Sequence, residues 1–384
     1  MVDYRAIDEL VIKIDERNTN EDILDLIGLS IDKCFIKSVA NVNGTDLSKY
    51  KIIRKDDFAV SLMQVSRDEK IPVARLEEYD VAIMSPAYPI FRVKDSNVIL
   101  PEYLEMWFKR PEFDREAAFI AVGGVRGSMP WEEFGKMRLP VPEIEKQKEI
   151  VQAYKTVSDR IALKQKINDN LANTEQAILI EVLSHNQTES IALENLVEFI
   201  DGDRGKNYPT FDEFTSSGYC LFLNASNVTS TGFNFDTCMF VTKEKDEVMN
   251  KGHLSPYDIV LTSRGTLGNV ALYDKHIRFD NIRINSGMLI IRPKAQQLSP
   301  YFIYALLKSS FMKAAIEQFK SGSAQPQLPI KDLQKMAFEI PVSGSVIGDL
   351  DHEFQVIEEQ ISVNNNEIND LKDLCSVLLS KLSN

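Results

Sequence analysis

Apolar residues recur at steps of four and three along two stretches of the chain, at positions 150, 154, 157, 161, 164, 168, 171, 175, 178 and 182 and at the same positions plus 200. The first stretch fills seven of these ten positions with apolar side chains and the second fills nine, a coiled-coil seam in both. The seam residues are Ile150, Tyr154, Val157, Ile161, Asn168, Leu171 and Ile178 in one helix and Leu350, Phe354, Ile357, Ile361, Asn364, Leu371, Leu378 and Leu382 in the other. Helices of about 40 residues rise about 60 Å and are stabilised by a partner stripe rather than by propensity, so the two are expected to pair with each other. An antiparallel pair with Ile150 opposite Leu382 sets Asn168 opposite Asn364, and such a polar pair fixes register at some cost in stability. Lys164 and Glu175 interrupt the first seam; they mark the docking place of a third element or reach out to water.

Ahead of each helix the pattern turns to short apolar and β-branched runs. Phe58 to Met63 and Val81 to Val93 read as strands in the first half, and so do Ile191 to Ile200, Tyr219 to Asn224, Asp258 to Thr262, Val270 to Tyr273 and Gly287 to Ile291 in the second. Pro101 to Phe113 and Pro300 to Ile316 read as helices, each opened by a proline suited to a first helical turn. A polar, glycine-bearing loop follows each of them, Val122 to Pro130 and Ser321 to Pro329.

These two halves are one sequence written twice. Gly123, Pro130, Lys136, Met137 and Pro142 return 199 positions later as Gly322, Pro329, Lys335, Met336 and Pro341. Asp57-Phe58-Ala59-Val60-Ser61 aligns with Asp258-Ile259-Val260-Leu261-Thr262, which carries the repeat into the sheets. A period near 200 residues makes each copy large enough to hold its own core, unlike the units of a solenoid. The expected boundaries are a module at 1–142, a helix at 143–185, a module at 186–344 and a helix at 345–384.

Composition adds limits. There is no apolar run long enough to cross a membrane, and Met1 to Asp15 is too charged for a signal peptide, so a cytoplasmic protein is expected. The cysteines Cys34, Cys220, Cys238 and Cys375 lack paired spacing, which argues for buried free thiols, and no histidine lies near a cysteine pair. Net charge is −13, of which the second helix supplies −6 from two basic and eight acidic residues. Because phosphate neutralisation dominates nucleic-acid affinity, this balance predicts weak DNA binding by the chain alone.

The order module, helix, module, helix, with a glycine-bearing loop and a Lys-Met-x-x-x-x-Pro segment before each helix, resembles the specificity subunit of Type I restriction-modification systems. Supporting stretches are Leu193-Glu194-Asn195-Leu196, Gly202-Asp203-Arg204-Gly205-Lys206-Asn207-Tyr208-Pro209 and Ser321-Gly322-Ser323-Ala324-Gln325-Pro326-Gln327-Leu328. The resemblance implies an α+β fold: two target-recognition domains of mixed α/β structure, each followed by a long helix, with the helices paired as an antiparallel coiled coil. It further implies a non-catalytic chain whose domains each read half of a bipartite target in double-stranded DNA. The helices would set the gap and dock two modification (methyltransferase) subunits. S-adenosylmethionine, ATP and Mg would belong to partner subunits, including restriction (translocase and nuclease) subunits, and none to this chain. The first module departs from the pattern, since Ile12 to Asn20 lacks the glycine-rich stretch found after Ile200.

Reading bases requires bidentate side chains, Arg or Lys to guanine and Asn or Gln to adenine, with further donors to phosphate. The second module offers Arg204, Lys206, Asn207, Tyr208, Asn224, Ser226, Asn227, Ser263, Arg264, Thr266, Arg283, Asn285, Ser323, Gln325 and Gln327. The first offers Ser61, Gln64, Arg67, Lys70, Tyr88, Arg126 and Ser128. Gly-, Asn- and Ser-rich loops are also ordinary turns. Neither a G-x-x-x-x-G-K-[ST] phosphate loop, an Asn-Pro-Pro-Tyr signature nor a G-x-S-x-G elbow occurs. The carboxylate pairs Glu132-Glu133 and Asp201 with Asp203 could hold a nuclease metal or be solvated loop charge. The competing reading is a coiled-coil scaffold whose modules bind proteins.

Overall fold

The computed structural model describes residues 3–38, 45–122, 127–294, 298–319 and 327–383. The chain divides into two compact units, Met1–Ala162 with Asn369–Asn384, and Leu163–Ile368. Each contains a globular part and a portion of both long helices, Ile144–His185 and Gly344–Ser380.

In the first unit Asp3–Ala6 pairs antiparallel with Arg138–Val141, and a four-stranded antiparallel sheet runs in the order Val11–Ile14, Ile90–Val93, Phe58–Val60, Val73–Arg75. In the second unit Thr188–Ala192 pairs with Ala337–Pro341, and the sheet order is Val197–Asp201, Met288–Pro293, Ile259–Thr262, Val270–Leu272. The two sheets have one topology. Successive strand residues face opposite sides, and both sides are covered. Phe58, Val60 and Phe91 enter one core while Ala59 and Ile90 enter another. Ile259, Leu261 and Ile291 likewise oppose Val260 and Ile290. That double burial explains why these strands read as unbroken apolar runs.

The duplication reaches individual bonds. Ile7 N donates to Met137 O at 3.0 Å and Leu193 N to Met336 O at 2.8 Å; Lys94 N donates to Leu10 O at 2.8 Å and Lys294 N to Leu196 O at 2.9 Å. A bidentate arginine clamps the turn before the central strand in both copies. Arg92 holds Asp57 at 2.5 and 3.0 Å, and Arg292 holds Asp258 at 2.7 and 2.7 Å. Both aspartates are buried and also accept a backbone N–H, from Arg54 and Ser255 respectively.

Four expected elements are subdivided. Ile191 to Ile200 is two strands separated by the helical turn Leu193–Leu196, whose end residues Leu193 and Leu196 are buried. Val81 to Val93 is the strands Val81–Met84 and Ile90–Val93. Each long proline-opened helix is two: Pro101–Phe108 with Pro111–Ile120, and Pro300–Lys308 with Ser310–Phe319. Pro111 forces Arg110 into an extended conformation, ψ 136°. In the second copy the extended Ser309 makes the break, donating its hydroxyl to Leu306 O at 2.6 Å and accepting from Met312 N at 3.2 Å.

The long helices measure 42 and 37 residues, about 63 and 55 Å. In the first unit Ile150 and Tyr154 pack with Leu382 against the module core, while Val157, Ile161, Leu371 and Leu378 are half-buried. In the second unit Ile178 packs with Leu350 and Phe354, Ile361 is buried, and Leu171 and Ile357 are half-buried. The antiparallel register expected there is present. Asn364 Nδ2 donates to Asn168 Oδ1 at 2.7 Å, and Lys164 Nζ reaches Asn364 Oδ1 at 2.9 Å and Glu367 at 2.7 Å.

Glu175 does receive a third element. It is fully buried, and Lys308, at the end of the helix Pro300–Lys308, sets its ammonium 2.7 Å from Glu175 and also bonds Glu358. Burial and the neighbouring Glu358 charge push the Glu175 carboxyl up to about 8 despite Lys308. A carboxyl raised on folding binds its proton more tightly in the folded state, so its contribution favours folding least above pH 8. Stability from this group therefore falls as pH climbs from about 4.5, its ordinary value, to about 8. Glu175→Gln should abolish that slope: urea midpoints of variant and parent should nearly coincide at pH 5 and separate in the variant's favour by pH 9.

Candidate nucleic-acid interface

In the second unit, loops at the ends of the sheet strands come together around a bare backbone. Gly202 follows the strand Val197–Asp201, and a Cβ there would sit 2.2 Å from Asn285 O, so only glycine permits the approach. Arg204 is exposed and donates to Asp201 at 3.0 Å and to Ser286 O at 3.2 Å. Ser263 N and Arg264 N both donate to Gly287 O, at 2.9 and 3.2 Å, and Arg264 forms an antiparallel bridge with Gln327. Leu328 N donates to Ser263 O at 3.0 Å. Arg204, Arg264, Asn285 and Gln327 thus belong to one cluster of abutting loops. Arg264, Thr266 and Gln327 are exposed, as is Lys206.

Asp203 braces this cluster from beneath. Its buried carboxylate accepts Gly205 N and Asn250 N, both at 2.8 Å, and these backbone bonds, Gly205's first, hold it below the usual carboxylate range. Asp203 is therefore a loop keystone rather than solvated charge. Asn207 ties the loop further, donating to Val248 O at 2.8 Å, and half-buried Tyr208 meets the edge of Phe222 at 5.6 Å.

Three expected base readers are structural instead. Arg283 is buried and committed to Asp246 Oδ1 at 2.7 Å, Asp246 O at 2.9 Å and Lys251 O at 2.5 Å. Asn227 is buried, and its amide donates to Asn234 O and Thr237 O at 2.9 and 2.8 Å, closing a hairpin. Ser263 is buried with its hydroxyl on Gly287 O at 3.0 Å. Each is consumed because an unpaired buried polar group is costly. Asn224 caps its own turn through Ser226 N at 2.9 Å, and Ser226 is exposed on that separate turn. Asn285 Oδ1 accepts Gly287 N at 2.8 Å, leaving its amide NH₂ end for other partners.

The first unit repeats the central joint. Met129 N donates to Leu62 O at 2.8 Å, the counterpart of Leu328 to Ser263. Around it lie half-buried Ser61 and Ser128 and exposed Gln64 and Arg67. Gln64 has φ +62° and accepts from Arg67, which also donates to Asp68 at 2.8 Å. Lys70 is exposed, 3.7 Å from Asp32. Tyr88 packs into a core with Ile14 and Phe35 and stands apart from these loops. Arg126, Ser323 and Gln325 lie outside the described residues.

Residues 187–372 match the family model of the Type I restriction modification DNA specificity domain. This stretch is a specificity domain of that family. Over its whole length the chain is similar to the S subunit of a Type-I restriction-modification system from M. genitalium, at 16% identity and TM-score 0.56, covering 100% of this chain and 96% of that one. That likeness shows a shared fold. The HsdS subunit from Thermoanaerobacter tengcongensis also matches, at 16% identity, TM-score 0.35 and coverage of 99% and 96%. No curated protein matches the chain. DNA recognition is the role of the family that residues 187–372 match. Among the described residues no helix is long and apolar enough to cross a membrane.

Proposed function

We propose that this chain is the sequence-reading subunit of a Type I restriction-modification complex in the cytoplasm. Each module reads one half of a bipartite, asymmetric target in double-stranded DNA. The paired helices set the unread gap and dock two modification subunits, which bring S-adenosylmethionine; restriction subunits bring ATP and Mg. The observation that carries this reading is the cluster of Arg204, Arg264, Asn285 and Gln327 on loops locked together by backbone bonds in a specificity domain. Guanidinium and amide groups on a rigid support are what base-edge recognition needs. The counterpart loops of the first unit carry different side chains, Ser61, Gln64, Arg67 and Ser128, so the two half-sites differ. A net charge of −13 fits a chain that binds DNA through its assembly rather than alone.

Methylome sequencing of a host with and without the gene tests the reading. A gene-dependent adenine methylation motif of two unlike halves with a fixed gap is expected; an unchanged methylome in a host that expresses the modification subunit would refute it. Inserting one heptad into each long helix, between Ile161 and Leu171 and between Ile361 and Leu371, lengthens a paired rod by about 10 Å. The gap should then grow by about three base pairs at 3.4 Å each, with both half-sites unchanged.

A further inference from the structure

Three side chains from separate elements meet beneath the loop Asp203–Tyr208. Cys220 lies on the strand Cys220–Phe222, between Phe240–Val241 and Ile282–Arg283. His253 lies on the segment that continues this sheet, since Ile284 N donates to Gly252 O at 2.8 Å and Leu254 N to Ile282 O at 2.9 Å. Asp246 comes from the short helix Lys243–Val248. Their ligand atoms, the Cys220 thiol, an Asp246 carboxylate oxygen and a His253 ring nitrogen, all lie within 4.8 Å of one another.

The ring orientation of His253 is the decisive detail. Its Nδ1 stands 3.0 Å from Leu254 O, and a carbonyl only accepts, so Nδ1 carries the proton. In the neutral ring Nε2 then presents a lone pair, and it faces Asp246 Oδ2 at 3.6 Å. Two acceptors turned on each other at that distance favour a proton or a cation between them. A backbone carbonyl holding the far ring nitrogen is also how metal-binding histidines are commonly oriented. Arg283 does not fill the place, because it bonds Asp246 through the other oxygen, Oδ1, at 2.7 Å, and through the main chain.

We propose that Cys220 Sγ, His253 Nε2 and Asp246 Oδ2 form a zinc site, with water as the fourth ligand. One sulfur, one imidazole and one carboxylate suit Zn²⁺ among divalent ions. Tetrahedral ligands at ordinary zinc bond lengths stand about 3.5 Å apart, which the Nε2 to Oδ2 separation of 3.6 Å already matches. The thiol lies within 4.8 Å of both and would rotate toward the ion on binding. The His253 side chain is 37% exposed, which leaves an approach for ion and water. On binding, the Sγ–H bond breaks, its proton leaves to solvent and the thiolate pair forms the Sγ–Zn bond, with no change of oxidation state. Thiolate and carboxylate supply two negative charges, one of them shared with Arg283.

The site would stiffen the loop above it. Val248 O accepts the Asn207 amide and Asn250 N donates to Asp203, so the stretch between the ligands Asp246 and His253 is what the loop of Arg204 and Lys206 rests on. This consequence rests on the DNA-reading function, whereas the metal site itself does not.

The test uses the full chain, purified without a polyhistidine tag and stripped with chelator. Titration with ZnCl₂ against a chromogenic zinc indicator should show one tight equivalent, and CoCl₂ should give a thiolate-to-cobalt charge-transfer band. Cys220→Ala and His253→Ala should each lose the band and at least about tenfold in zinc affinity, while Cys238→Ala keeps both. Absence of a stoichiometric equivalent, or a band that survives Cys220→Ala, overturns the proposal in favour of a plain His253–Asp246 ion pair. If Cys220→Ala does not fold, the half-exposed His253→Ala variant decides alone. Zinc binding without any target methylation would leave the site standing and defeat the functional reading; methylation without zinc binding would do the reverse.

Discussion

Lys308→Met should destabilise the second unit by about 3–5 kcal/mol at neutral pH, the usual cost of removing one member of a buried ionic group. Methionine keeps most of the aliphatic stem, so packing against Tyr304, whose ring lies 4.6 Å from the ammonium, is largely preserved. What disappears is the ammonium that both Glu175 and Glu358 contact in a buried site. Burial lowers the affinity of Lys308 for its proton, yet the Glu358 and Glu175 carboxylates more than offset this and hold the ammonium above its ordinary range. Without it, two carboxyls face each other in a dry seam, and Glu175 Oε1 is already unpartnered among the described residues. Urea unfolding at neutral pH checks the size, and a variant within about 0.5 kcal/mol of the parent would rule out the electrostatic account.

Arg264→Ala should weaken methylation of DNA by about 5- to 150-fold, the equivalent of about 1–3 kcal/mol for a lost base contact, and through one half-site only. Arg264 is exposed, while its backbone is fixed by the bridge to Gln327 and the bond to Gly287, so truncation removes a reading group without releasing the loop. Comparing targets mutated in either half, in the presence of the modification subunit, gives the readout. The variant should lose discrimination at positions in one half and keep it in the other. Equal loss across both halves would mean that Arg264 contributes general charge or assembly.

Much of the scaffold could be read from periodicity. Double burial made the four strands of the second sheet visible and, in the first, Phe58–Val60 and Ile90–Val93, whereas Val11–Ile14 and Val73–Arg75 did not read as strands; the steps of four and three placed Asn168 against Asn364, where a hydrogen bond joins them. Such patterns are local, so one sequence suffices. The loops were another matter. Arg283, Asn227 and Ser263 have the residue types of base readers, and only tertiary contacts reveal that each is spent inside the fold, Arg283 on an aspartate 37 positions away. Gly202 is informative only beside Asn285 O. The helix break at Ser309 has no proline to announce it, unlike the break before Pro111. Cys220 stands 26 residues before Asp246, and only the fold shows that it meets Asp246 and His253.

The polar residues in the seam also decide what each rod refuses. Were two copies of the first helix to pair antiparallel about their centre, Glu175 would fall opposite Val157 and Lys164 opposite Asn168, far from Glu358 and Glu367. Two copies of the second would bury Asn364 against Ile368. Either mispairing strands a charge or an amide in an apolar seam. Each helix is therefore selective for the unlike one, and at the concentrations inside a cell the nearest unlike helix is always the one on the same chain. Exchange of rods between neighbouring chains during synthesis is discouraged by chemistry as well as by proximity.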